Sequence, residues 1–216
     1  MSKTRTTLIL TAVLGAAVTL AGCASAAGSS GMEGMNHSSG STSPTATPST
    51  TAAANFSDVD VMFAQMMIPH HAQAIEMADM LLAKDGVNAD VVALAEKIKA
   101  AQSPEIEQMN QLLTSYGEAE VDPTSTEMPG MDHDMGSMGM EGMMTEEDMT
   151  ALDDATGDEA AKLFLTQMSE HHSSAVTMAE GEVAAGKDPA AVELAEQIVA
   201  DQKAEIAEMR DLVKQL

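Results

Sequence analysis

From Phe56 onward the chain carries four long runs in which apolar residues return every three or four positions, the spacing of one face of an α-helix. The pattern predicts a first helix from about Ser57 to Lys84, with Ser57 and Asp60 placed as a capping-box-like pair and Gly86 as its end. A second helix follows Asn88 and runs to about Ser115, with Gly117 as stop signal. Pro104 lies inside it, lacks a backbone donor and is expected to bend it near Ala100, whereas the matching position later in the chain is Ala204. Thr145-Glu146-Glu147-Asp148 reads as the capped start of a short helix that stops before Gly157. A third long helix covers about 158–185, and after Gly186 the Asp188 cap and Pro189 introduce a fourth that continues to about Leu216. No strand candidate of useful length is found.

These helices repeat. FAQMMIPHHAQAIEM from Phe63 and FLTQMSEHHSSAVTM from Phe164 share F-x3-M-x2-HH-x2-A-x2-M at an offset of 101 residues. LAEKIKAAQSPEIEQM from Leu94 and LAEQIVADQKAEIAEM from Leu194 match at an offset of 100, so the intervening loop has lost one residue. The unit is a helical hairpin present twice, and two hairpins with short internal loops and one long link predict an all-α four-helix bundle with a pseudo-two-fold axis.

At about 100° per residue, positions 63, 67, 70, 71, 74 and 77 fall within about 120° of a helix circumference, the width of a core-facing stripe. Both histidines of each repeat therefore point inward. In the second helix of each unit Gln102 and Glu105, or Gln202 and Glu205, share the apolar face. An unpaired carboxylate in a core costs several kcal/mol, so the doubled polar set argues for a shared polar centre holding a cation, a proton or a metal.

The beginning of the chain, MSKTRTTLILTAVLGAAVTLAGC, reads as an export signal over residues 1–22 rather than a spanning helix. Leu20-Ala21-Gly22-Cys23 resembles a bacterial lipobox, which makes Cys23 the lipid anchor on the extracytoplasmic face of the cell membrane. Cys23 is the chain's single cysteine, so no disulfide and no thiolate ligand is left over, and any soft ligand must be methionine. The whole chain has a formal charge of −24, and loss of Lys3 and Arg5 with the signal leaves 8 basic against 34 acidic residues, a net of about −26. That field disfavours nucleic acid and concentrates cations. Residues 23–55, rich in Ser, Thr, Ala, Gly and Pro, are read as the lipidated cysteine and a flexible tether, and residues 56–216 as the bundle, with a Met-rich loop over 117–144.

Isolated methionines such as Met62, Met66 and Met80 are expected to be core filler. The stretch MPGMDHDMGSMGMEGMMTEEDM differs, because its thioethers lie among Gly, Asp and Pro and build no helix core. Thioethers suit Cu(I) and Ag(I), and imidazole accepts both copper oxidation states. Met131, His133, Met135, Met138 and Met140 are therefore candidate ligands of a copper-capturing arm, with Met32, Met35 and His37 as a weaker copy; a Met-rich linker without a metal role is the alternative.

Carboxylate-bridged di-iron bundles use Glu-x-x-His on two helices. Here the same spacing is Met67 to His70 and Met168 to His171, and a thioether in place of a carboxylate moves the expected metal from iron toward copper. Glu105 and Glu205, with Gln102 and Gln202 beside them, are candidate partners that fix histidine tautomers from behind. The alternative is a metal-free polar layer in which the histidines only hydrogen-bond those residues and set helix register.

With these residues in view, the chain resembles the bacterial exported family of domain of unknown function 305, with its ferritin-like helical bundle and CopM-type copper-binding members. The resemblance covers about residues 55–216, including both HH segments and both Q-x2-EI-x2-M segments. It implies extracytoplasmic binding of copper, and of silver as a second soft ion, in the service of metal tolerance. Carried over by position, the implied ligands are Met67, His70, His71, Met77, Met168, His171, His172 and Met178. The chain departs from the common pattern at Pro69 and at Ser169-Glu170, just before the histidine pairs.

The expectation is thus a lipid-anchored protein that binds copper, Cu(I) above all, for buffering, tolerance or transfer, without catalysis and without nucleic acid. A Ser-His-Asp order, a phosphate-binding Gly-rich loop and a nucleophilic cysteine are all missing from the sequence. Two rival readings are a redox or di-iron ferritin-like enzyme, which needs a bridging carboxylate set, and a metal-free envelope interaction module.

Overall fold

In the computed structural model, residues 55–124 and 142–216 are described. They form α1 (Asp58–Leu82), α2 (Ala89–Tyr116), α3 (Glu146–Asp154), α4 (Gly157–Ala185) and α5 (Pro189–Val213). Among the described residues there is no strand, and no helix is long and apolar enough to cross a membrane. The export signal, Cys23 and the tether lie outside the described residues, as do Met131, His133, Met135, Met138 and Met140.

The boundaries follow the predicted signals. Ser57 and Asp60 form the capping box of α1, Asn88 caps α2 through the Asp90 amide, and Asp188 caps α5 ahead of Pro189. Gly117 closes α2 at φ 85°, a left-handed conformation that a residue with a Cβ adopts only at a cost. Both α1 and α2 run through their internal prolines, Pro69 and Pro104, as continuous helices.

α1 packs on α2 and α4 on α5, and the two hairpins meet chiefly through α1 and α4, with lesser contact between α2 and α5. This is the duplicated helical hairpin that the repeat predicts. Two apolar clusters fill the bundle. One gathers Leu81, Leu94, Ile98, Phe164 and Met168, while the other gathers Phe63, Met67, Met109, Leu194 and Ile198. α3 breaks the symmetry. Leu152 and Ala155 pack into the first cluster, and Gln167 Nε2 donates to the Asp148 carbonyl at 3.0 Å, so α3 covers one end of the α1–α4 groove and leaves the pseudo-equivalent end bare.

Both ends of the long connection are held by an amide side chain. Asn110 pairs with both backbone groups of Val121, at 2.8 and 3.1 Å, where the chain leaves α2. Gln73 pairs with both backbone groups of Met144, at 2.7 and 2.9 Å, where it returns.

Candidate metal centre

The inward stripe of α1 and its copy on α4 bury His70, His71, His171 and His172, all at 1% exposure or less. The rings of His70 and His171 stack across the interface of the hairpins with centroids 3.7 Å apart. Met67 and Met168, one helical turn before each pair, are completely buried, one in each apolar cluster.

Hydrogen bonds assign the tautomers. His71 Nε2 lies 2.8 Å from Glu105 Oε2, and His172 Nε2 lies 2.9 Å from Glu205 Oε2. A carboxylate only accepts, so each Nε2 carries a proton, and in the neutral ring Nδ1 keeps its lone pair. His70 Nε2 lies 2.8 Å from Ser174 Oγ, whose own proton goes to the His171 carbonyl at 2.9 Å, so His70 also donates through Nε2. The Nδ1 atoms of all four histidines are buried without a partner, and His171 lacks one at Nε2 as well. A buried polar atom without a partner costs about 1–3 kcal/mol, and several of them facing one layer call for a ligand that accepts lone pairs.

Electrostatics keep those lone pairs free. Burial holds His70 and His171 well below the ordinary histidine range, and repulsion from their neighbouring histidines adds to it. Burial also lowers His172, opposed in part by its bond to Glu205. These three rings are neutral at neutral pH and ready to ligate. Soft monovalent ions match imidazole nitrogen and thioether sulfur. No three His, Cys, Asp or Glu side chains among the described residues converge to hold a metal by themselves. The donors on hand are neutral imidazoles with thioethers beside them, a set unlike the carboxylate cage of a di-iron bundle.

The remaining predicted residues fall in different places. Glu105 and Glu205 back the histidines as expected, and Gln102 and Gln202 are buried beside them with amide atoms unpaired. Met77 packs in an apolar cluster two turns beyond His70, about 10 Å along the axis. Met178, packed against the other cluster, lines a surface cavity with Met62 and Met66. Sequence reasoning passed over Ser174. It is the counterpart of Gln73, which is engaged with Met144, so His171 lacks the partner that Ser174 gives to His70. Comparing positions 73 and 174 across the repeat would have exposed the difference. Gly142, at φ 88°, lies so close to Ser174 that a Cβ there would collide with its side chain, which sets the returning chain over the His70 side of the layer.

No curated protein sequence matches this chain. Among solved structures, a DUF305 fragment from Deinococcus radiodurans is 30% identical with a TM-score of 0.63, covering 74% of this chain and 99% of that one. A DUF305 protein of Streptomyces coelicolor classed as secreted is 32% identical with a TM-score of 0.64, covering 76% of this chain and 94% of that one. CopM in its Cu(II)-bound form is 29% identical with a TM-score of 0.59, covering 72% of this chain and 96% of that one. CopM has also been solved with Cu(I) and with Ag bound. The family model described as domain of unknown function (DUF305) matches residues 60–213, and with the doubled hairpin and its histidine layer this chain belongs to the DUF305 family.

Proposed function

We propose that this protein binds copper outside the cytoplasm, holding Cu(I) first and Ag(I) as a second soft ion, at the layer formed by His70, His71, His171 and His172 with Met67 and Met168 nearby. The observation that carries the reading is the set of four buried Nδ1 atoms without a partner. Similarity to CopM in its copper- and silver-bound forms supports metal binding, and similarity to a DUF305 protein classed as secreted supports the location. Cys23 tethers the bundle to the membrane through lipid, and Met131, His133, Met135, Met138 and Met140 collect the ion and pass it inward. The ion is cargo, to be buffered or handed to a partner protein, and no catalytic step is involved. The redox-enzyme alternative needs bridging carboxylates, whereas Glu105 and Glu205 are spent on histidine Nε2–H groups.

The test is an anaerobic Cu(I) titration against a chromophoric chelator, using the parent, a variant with the four histidines changed to Ala, and one with residues 128–144 replaced by Gly/Ser. Uptake lost with the histidines supports the bundle site. Loss only with the loop makes the bundle a scaffold, and no competitive uptake by the parent ends the copper reading in favour of a metal-free interaction module.

A further inference from the structure

The end of the α1–α4 groove that α3 leaves bare has a chemistry of its own. It forms a surface cavity of about 230 Å³ lined by Met62, Met66 and Met178 with Phe63, Val59 and Glu182. Met62 is 47% exposed, the most exposed large apolar side chain among the described residues, where simple packing would have buried it. Glu182 is 1% exposed, yet both of its carboxyl oxygens lack a hydrogen-bond donor.

The repeat supplies an internal control. Positions 62, 66, 178 and 182 correspond, at an offset of 101, to Leu163, Gln167, Met77 and Leu81 at the capped end. There Gln167 bonds α3, and Leu81 and Met77 are fully buried in an apolar cluster. At these four matched positions the covered end has one thioether and no carboxylate, and the open end three thioethers and a carboxylate. Packing alone gives no reason for sulfur and a buried carboxylate to be added where the groove opens to solvent. A soft cation gives one, because three neutral thioethers hold Cu(I) or Ag(I) and a carboxylate nearby balances the charge. Met62 and Met66, four residues apart, are neighbours on the α1 surface, and Met178 faces them from α4.

We propose that Met62, Met66 and Met178, with Glu182 behind them, form a second, solvent-open site for a soft monovalent cation, separate from the histidine layer. Met66 precedes His70 by one turn and Met178 follows His171 by two, so the site stands on the same groove as the buried layer and does not depend on it.

The experiment uses the full chain labelled with [ε-¹³C]methionine, with methyl signals assigned by single Met→Leu variants and Ag(I) as a redox-inert probe. The ε-methyl signals of Met62, Met66 and Met178 are expected to shift together at the same Ag(I) concentration. Met66→Leu should abolish the shift of the other two, and Glu182→Gln should weaken the step about tenfold. The same response in a His71→Gln, His172→Gln variant separates this site from the histidine centre, so either can fail alone. Three signals that stay in place while other methionine signals saturate, or that move at unrelated Ag(I) concentrations, overturn the proposal; an unchanged affinity in Glu182→Gln overturns the part given to the carboxylate.

Discussion

His70 and His171 stack with ring centroids 3.7 Å apart and planes tilted by 36°, one from each half of the duplicated chain. Two neutral imidazoles tolerate that contact and two imidazolium ions do not, since like charges so close repel strongly in a buried setting. The contact therefore requires deprotonated rings, the state in which imidazole binds metal. Around it the pseudo-symmetry holds for the His71–Glu105 and His172–Glu205 pairs and fails for Ser174, whose counterpart Gln73 is turned away to the returning loop.

Glu105 and Glu205 act on the metal through the tautomers they impose. Changing either to Gln leaves an oxygen to accept the Nε2–H but removes the negative charge that makes Nδ1 a stronger donor, and loss of such a partner typically costs 10–100-fold in metal affinity. Glu205→Gln, at the more buried pair, is expected to weaken Cu(I) binding by about tenfold or more, and Glu105→Gln by less. Chelator competition on the two variants checks the order, and equal affinities to the parent would detach the carboxylates from the site.

Ser174→Ala leaves His70 Nε2–H without an acceptor inside the bundle. The cost is the desolvation of that donor, about 1–3 kcal/mol. Urea unfolding of the metal-free protein at pH 7.5 is expected to show that loss, whereas Ser173→Ala, on an exposed face beside it, should stay within about 0.5 kcal/mol of the parent. Similar midpoints for the two variants would mean that His70 donates elsewhere.

The helices, their caps and the duplicated histidine stripe were legible in the sequence because each rests on local spacing. Residues three and four apart share a face whatever the fold, so Met67, His70 and His71 had to be buried together once α1 was amphipathic. Which atoms meet across helices was not legible. Ser174 reaches His70 from the other hairpin, 104 residues away, and no periodicity of α4 predicts it. Met178 shared the histidine stripe by angle but lies too far along the axis, since a helical wheel hides the rise of 1.5 Å per residue. The position of α3 was also out of reach. A short capped helix can be read from Thr145 to Asp148, but which end of the groove it covers depends on how the long connection returns.

The acid pair between α1 and the end of α4 gives stability a pH signature. Burial tends to raise Asp60, but hydrogen bonds from the Ser57 side chain and from the Asp188, Ser57 and Lys187 amides outweigh it and hold the carboxyl down to about 2. Glu182 is pushed up to about 7 by burial, by the neighbouring carboxyl of Asp60 and by the charge of Asp188. Between its usual 4.5 and about 7, the folded chain keeps the Glu182 proton that the unfolded chain has released, so this group makes stability fall as pH rises through that window. The buried histidines act oppositely, losing stability as pH falls below 6.5, so the comparison must be between parent and Glu182→Gln. Glu182→Gln is expected to gain on the parent from pH 5 to pH 8 in urea midpoint, and parallel midpoints would mean that Glu182 is ionised throughout.

Gly142 ties the returning chain to the histidine layer, and its substitution should loosen that junction without unfolding the bundle. A valine there meets two penalties: a left-handed backbone at φ 88°, which β-branched residues resist, and a collision with the Ser174 side chain. The Gln73–Met144 pair, two residues further on, clamps this return through both backbone groups of Met144 and has to open first. Gly142→Val is therefore expected to speed hydrogen exchange at the Met144 amide by at least about tenfold, equivalent to ~1.4 kcal/mol of local stability. The amides of α2 and α5, which take no part in the Gln73–Met144 clamp, should keep parent protection. Gly142→Ala shares the backbone penalty and most of the collision, so it should fall between the two. If Gly142→Val leaves protection at Met144 unchanged, or lowers it equally across α2 and α5, then the junction is not the separate, weakly held unit that the Gln73–Met144 clamp implies.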